Sequence, residues 1–444
     1  MVRKAISHWK SLAVVAAVVL VVGLTMSGNL GLTGLSNDAF ADPTGIKYTG
    51  AGSCAAAACH GSATEKDGGA TRHNENHIWS NNDAHAKAYT QLLEDTSKAM
   101  AKNLKIEDAS KSERCLNCHG LSGFTKHDNT VHRIVLKPEQ INAEKYSVED
   151  GVSCDACHGP ADKYLKPHTE KGWTAKLRTD LGSEKLFNEW GLYDTKNLKF
   201  RADVCLSCHL RIEADLVAAG HPELPFELSI MSSDESWIHW RNHGEWFGAK
   251  AWAMGQAVSL RESAMQTAER TKAGADEKLI KASYDRMLGH AILTRQAAEA
   301  VDAEGRAALD KLLGDVKANW ADAAKREAAL KEVAKAVDAW SDKLNGIAFD
   351  KAKTEKVLAG LASEGEAIAP HGYRAGEAYV MSMLAVSGSY NTDAKPADGE
   401  AKAEKVAALY DVLGDAETYD AAKFAAGAKA MAELYAGGKS LPLP

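Results

Sequence analysis

The sequence predicts a mainly α protein in two unlike parts, a loop-rich N-terminal half followed by an α-helical bundle. Two observations carry this prediction. All eight cysteines lie between residues 54 and 208, among many Gly, Asn and Asp residues. Beyond about residue 245 the chain turns to Ala, Lys, Glu and Leu, contains no cysteine, and sets its apolar residues at three- and four-residue steps. With 45% hydrophobic and 25% charged residues, the 444-residue chain has the composition of an ordinary folded protein.

Residues 1–41 read as an export signal. Arg3, Lys4 and Lys10 make a basic start, 13 apolar or small residues run from Leu12 to Leu24, and "AFA" (Ala39 to Ala41) offers a small-residue cleavage site. That run is short of the roughly 20 residues a spanning helix needs, so a cleaved secretory signal is expected. The long gap between Leu24 and Ala41 leaves a retained anchor, and with it membrane attachment, as the alternative. Either way the expected location is periplasmic or otherwise extracytoplasmic.

Residues 42–245 hold the chemistry. The cysteines form four pairs, Cys54/Cys59, Cys115/Cys118, Cys154/Cys157 and Cys205/Cys208, and each pair is followed at once by a histidine: His60, His119, His158 and His209. Three pairs read C-x-x-C-H; the first, "CAAAACH", carries four residues between its thiols. C-x-x-C-H is the attachment signature of c-type haem. Two thiols reach the two vinyl groups on one porphyrin edge, and the next imidazole turns under the ring to ligate iron. A disulfide framework would explain an even cysteine count but not the histidines, and a zinc ribbon or redox dithiol needs no fixed following histidine. With 16 histidines in the chain, one after every pair by chance has a probability of about two in a million. Four covalently bound c-type haems are therefore expected, with the cysteines consumed as thioethers. The fold class becomes a loop-rich multihaem cytochrome c domain, its core made largely of porphyrin, ahead of a helical domain.

Residues 246–444 read as an antiparallel bundle. Leu309, Leu313, Val316 and Trp320 form one apolar stripe, and Leu330, Val333, Val337, Trp340 and Leu344 form another. Helices are also expected over 250–270, 278–302, 400–414 and 419–436.

Each iron has a sixth position to fill, and eleven further histidines follow the signal segment. Context singles out His85 in "WSNNDAHAKAY", His168 at the end of "GVSCDACHGPADKYLKPH", and His221 in "AAGHPELPFEL". For the fourth position "GFTKHDNTVHRIVLK" offers His127 and His132, and nothing in the stretch separates them. Methionine ligation would raise the potential, but no Met is comparably placed.

"DAHAKAY", "GVSCDACHGPADKYLKPH", "GHPELPFEL" and "AWAMGQAVSL" resemble the multihaem cytochrome c family typified by the tetrahaem electron acceptor of hydroxylamine oxidoreductase, over roughly residues 47 to 260. The resemblance implies closely packed haems with mostly two histidines per iron, and marks His85, His168 and His221 as distal ligands. It also implies that His168 can serve a haem other than the one at Cys154 and Cys157. This chain departs from the family in its wide first motif and in lacking the further C-x-x-C-H that longer relatives carry in their helical part.

The expected function is electron transfer between redox partner proteins rather than catalysis. The alternative is a haem enzyme with one five-coordinate iron acting on a small nitrogen or oxygen species, with His127, His132, His239 or Arg241 as proton donors. Without residues 1–41 the chain carries 50 basic and 59 acidic residues, a net charge of −9, which argues against nucleic acid and anionic lipid as partners.

Overall fold

Phe247–Lys272, rich in small residues, forms a helix that is buried on nearly every side. The computed structural model describes residues 40–41, 45–66, 71–127, 130–233, 239–240 and 244–444. The signal segment, apart from Phe40 and Ala41, lies outside the described residues. Phe40–Pro444 forms one compact unit. Helices dominate it: α1 (Glu75–Asn82), α2 (Asp95–Asn103), α3 (Glu113–His119), α4 (Cys154–His158), α5 (Ala175–Trp190) and α6 (Leu198–His209) in the N-terminal half, then α7 (Phe247–Lys272), α8 (Glu277–Val301), α9 (Ala303–Ala318), α10 (Ala323–Asn345), α11 (Lys351–Ala362), α12 (Tyr373–Ala394) and α13 (Ala421–Leu434).

The bundle helices begin where the chain supplies an acceptor for their orphan N–H groups. Asp276, Asp302, Asp322, Asp350 and Asp420 cap α8, α9, α10, α11 and α13, each accepting a first-turn N–H at 2.8–3.1 Å. The expected stripes are buried: Leu309, Leu313 and Val316 on α9, and Leu330, Val333, Val337 and Leu344 on α10. The 400–414 stretch is divided into Gly399–Ala407 and Leu409–Leu413. No stripe foretold α11 and α12, because α12 buries small and apolar residues on most of its circumference and so lacks a polar face. Around α7 pack α8, α10, α12 and α6. Ala249, Ala253, Ala257, Ala264 and Ala268 are all buried along it, which lets these neighbours approach closely.

The N-terminal half is built differently. Its apolar clusters are small, such as Phe187, Tyr193, Phe200 and Val204. Its one sheet among the described residues has the order β1 (Phe40–Ala41), β2 (Ser122–His127), β3 (Thr130–Val135), antiparallel throughout, with Thr125 opposite His132. The stretch that offers His127 and His132 is thus a hairpin, with β-prone residues (Phe124 and Thr125, then Thr130, Val131, Ile134 and Val135) on either side of Asp128-Asn129.

The two halves share one core. Leu198, Ala202 and Leu206 of α6 pack in the same apolar cluster as the bundle helices. A buried charge network reinforces the seam: Arg261 of α7, fully enclosed, donates to Asp203 of α6 at 2.6 Å, to Glu262 at 2.5 Å and to Asp338 of α10 at 2.7 Å. Lys199 of α6 adds ion pairs to Asp338 and Asp342. Arg261→Met should take the cation from Asp203, leave Asp338 to Lys199 and Glu262 to Arg211, and destabilise the protein by about 3–5 kcal/mol, measured by urea denaturation; a loss below 1 kcal/mol would mean the seam is held by apolar packing alone.

Candidate functional site

One turn of helix places residues i, i+3 and i+4 on a common face, which is what two thiols and an imidazole need if they are to meet one planar ligand. The second motif is α3, the third is α4, and the fourth is the last turn of α6. Gly159 ends α4 with φ 83°, and a Cβ there would stand 2.0 Å from the Gly191 carbonyl oxygen. The first motif, with two extra residues, cannot use one helical turn. It is a turn instead, closed by the His60 N–H donating to the Cys54 carbonyl at 3.2 Å.

All eight cysteines and all four motif histidines line a single cavity of about 2960 Å³. The eight sulfurs are unbridged. Across the cavity every motif histidine faces a second histidine. His60 faces His168 with ring centroids 6.2 Å apart and planes 10° apart. His85 faces His209 at 5.9 Å and 65°, His119 faces His221 at 6.2 Å and 80°, and His158 faces His239 at 6.1 Å and 30°.

Hydrogen bonds set the tautomers. The Nδ1 atoms of His60 and His85 donate to carboxylates, Glu75 at 3.0 Å and Asp83 at 2.8 Å. Those of His119, His168 and His221 donate to the carbonyls of Ala88, Tyr164 and Pro222 at 2.8–3.0 Å. Since these oxygens can only accept, each Nδ1 carries a proton and the neutral ring offers Nε2 as its free nitrogen, the arrangement that orients metal-binding imidazoles. The hydrogen bond that His60 donates to Glu75 raises the His60 pKa above its ordinary value. At His85 burial opposes protonation, but the hydrogen bond and charge of Asp83 outweigh it. Burial, with His239 alongside, pushes His158 down to about 3, and burial with His85 nearby pushes His209 down to about 4. Burial also lowers His221 and His239. These four rings therefore stay neutral at ordinary pH, as a metal ligand must be.

The motifs follow one another in space in an order that differs from the sequence. Cys54 of the first motif lies beside Cys154 of the third, Cys157 of the third near Cys208 of the fourth, and Cys208 beside Cys118 of the second. The spatial order is first, third, fourth, second.

Of the residues singled out in the sequence, His85, His168 and His221 each stand opposite a motif histidine, and His168 faces the first motif rather than its own neighbour, the third. The Nε2 of His132 lies 3.3 Å from Arg211 Nη1, and the histidines that face the four motif histidines are others. The side chain of His127 lies outside the described residues, as do Arg241 and its surroundings. The place opposite His158 belongs to His239, which the sequence marks only as a candidate proton donor; its surroundings, "SWIHWRNHGEW", are aromatic but carry no ligand signature. Trp240 stacks near His239 and lies under the Arg201 guanidinium at 4.2 Å, which fixes this segment against α6.

Residues 53–159 match the family model described as cytochrome c554 and c-prime. That match, covering the first three motifs, supports a c-type cytochrome, a class that holds haem c covalently and works in electron transfer, typically outside the cytoplasm. No curated protein and no solved structure matches the chain. The residues fit such a group. A metal about 2 Å from each of two imidazole nitrogens, with each ring centre about 1 Å further back, needs centroids about 6 Å apart, as in all four pairs. Divided among four ligands, the cavity gives each a share within the range of about 300–1,000 Å³ usual for a ligand pocket. No helix among the described residues is long and apolar enough to cross a membrane.

Asp155, inside the third motif, ties it to the chain entering the first: it accepts the Thr49 N–H at 2.5 Å and the Gly50 N–H at 2.9 Å. Burial raises its pKa to about 6 despite these bonds. Because the folded value lies above the ordinary value of about 3.9, this group's stabilisation is fully present below about pH 4 and is lost as pH rises through about 6. Asp155→Asn should flatten stability between pH 4 and 7.5 in urea titrations. Asp155→Ala should cost about 1–3 kcal/mol at pH 4 by orphaning both N–H groups.

Proposed function

We propose that this chain is an extracytoplasmic tetrahaem c-type cytochrome that passes electrons between redox partner proteins. The observation that carries the reading is the set of four facing histidine pairs, each with one member from a Cys-pair motif, around one cavity lined by all eight cysteines. The cysteines would hold the haems as thioethers, with His60, His119, His158 and His209 as proximal ligands. His168, His221, His239 and His85 would be the respective distal ligands. Haem supplies one-electron exchange at iron, and two imidazoles per iron keep its potential in a low range.

The chain's own contribution is to hold these ligands still. Glu75, Asp83 and the carbonyls of Ala88, Tyr164 and Pro222 keep five imidazoles in one tautomer and orientation. In this reading residues 1–41 direct export, 42–245 carry the haems, and 246–444 form the scaffold behind them. With a histidine opposite every motif histidine, none of the four sites favours the alternative of an open, substrate-binding iron.

The purified protein should give four haems by pyridine haemochrome and a fully low-spin spectrum that carbon monoxide leaves unchanged; one gas-sensitive haem would point to the enzyme instead. His239→Ala and His168→Ala should each convert about one haem in four to high spin without loss of covalent attachment, whereas His132→Ala should convert none. Electron paramagnetic resonance should separate two classes of ferric haem, two with near-parallel imidazoles (10° and 30°) and two with steeply crossed ones (65° and 80°).

A further inference from the structure

Arg133 stands on β3, buried, where three of the four motifs meet. Its Nη1 donates to the Ala156 carbonyl, between the two cysteines of the third motif, at 2.9 Å. Its Nε donates to Ser207 Oγ, between the cysteines of the fourth, at 2.7 Å, and its Nη2 to Val204 of the same helix at 3.1 Å. Nη1 also reaches the Ser122 carbonyl at 3.2 Å, and the Ser122 hydroxyl in turn donates at 2.7 Å to Asn117, inside the second motif. A planar fork with five donors can span three backbone segments in this way; a lysine ammonium cannot.

The guanidinium also lines the haem-sized cavity, where its charge is poorly screened. Its hydrogen bonds place it beside the second, third and fourth motifs. Ferric haem carries one more positive charge than ferrous haem, so a fixed cation beside it disfavours the ferric form.

We propose that Arg133 is a positioning and potential-setting residue: one buried guanidinium that clamps the second, third and fourth motifs at a fixed spacing and raises the reduction potentials of the haems they hold relative to that of the first. This rests on the tetrahaem reading above, and a haem count made first separates the two, since fewer than four haems in the unmodified protein would fail that reading before Arg133 is tested.

The experiment is a spectroelectrochemical titration of Arg133→Gln and Arg133→Lys holoproteins, with thermal melts. Arg133→Gln should keep four low-spin haems while the oxidised-to-reduced ratio at fixed poise rises at least tenfold for one or more haems, a fall of about 59 mV, and the first-motif haem should move least. Arg133→Lys should hold every potential within about twofold in that ratio yet melt at a lower temperature, because the charge remains and the span is lost. Unchanged potentials in a fully loaded Arg133→Gln protein would overturn the proposal. Should Arg133→Gln yield no holoprotein, Arg133→Lys decides: potentials kept with a lowered melting temperature support it, and a tenfold shift, or an unchanged melting temperature, overturns it.

Discussion

The architecture follows from a constraint on the facing histidines: the second imidazole of each pair comes from on the order of a hundred residues away in the chain. Closing several such loops has an entropic cost that grows slowly with length, and in a metalloprotein the metal–ligand bonds offset it. Chain segments therefore cross and recross one cavity, and the N-terminal half is loops and short helices because its interior is reserved for something other than side chains. Its small apolar clusters are the walls of that space rather than a core.

Walls of this kind need backing, and the bundle supplies it through polar contacts aimed at the loops that carry facing histidines. Arg270 of α7 bonds Glu223 at 2.9 Å and the Ile212 carbonyl at 3.2 Å, and Arg286 of α8 bonds the Leu224 carbonyl. Gln266 adds bonds to Leu210 and Ile212 at 2.9 and 3.1 Å. These four acceptors lie in the segment that joins His209 to Phe226 and includes His221. Phe226 itself packs on the His209 ring with centroids 5.7 Å apart. The bundle is thus mechanically continuous with two of the four histidine pairs.

Much of the site was legible in the chain because its chemistry is local. A thiol pair and the following histidine must sit within one turn, so all four motifs show as contiguous words. The bundle was legible where a helix has one wet face, as with α9 and α10, and illegible where burial is nearly complete, as with α12. The hairpin is hard to read in the sequence because its β-prone runs are short and lack a strict alternation.

What the sequence determined by itself is the number of attachment motifs, the residues in each, and the helical periodicity of the second half, all set by neighbours a few residues apart. Which histidine faces which was decided only by tertiary structure. His132 lies between Val131 and Arg133 and His239 between Ile238 and Trp240, and nothing within a few residues of either tells a ligand from a bystander. One is turned to Arg211 by the register of a hairpin; the other is brought to His158 by Trp240 resting on Arg201. Facing is a relation between distant segments, and it exists only once the walls of the cavity have closed.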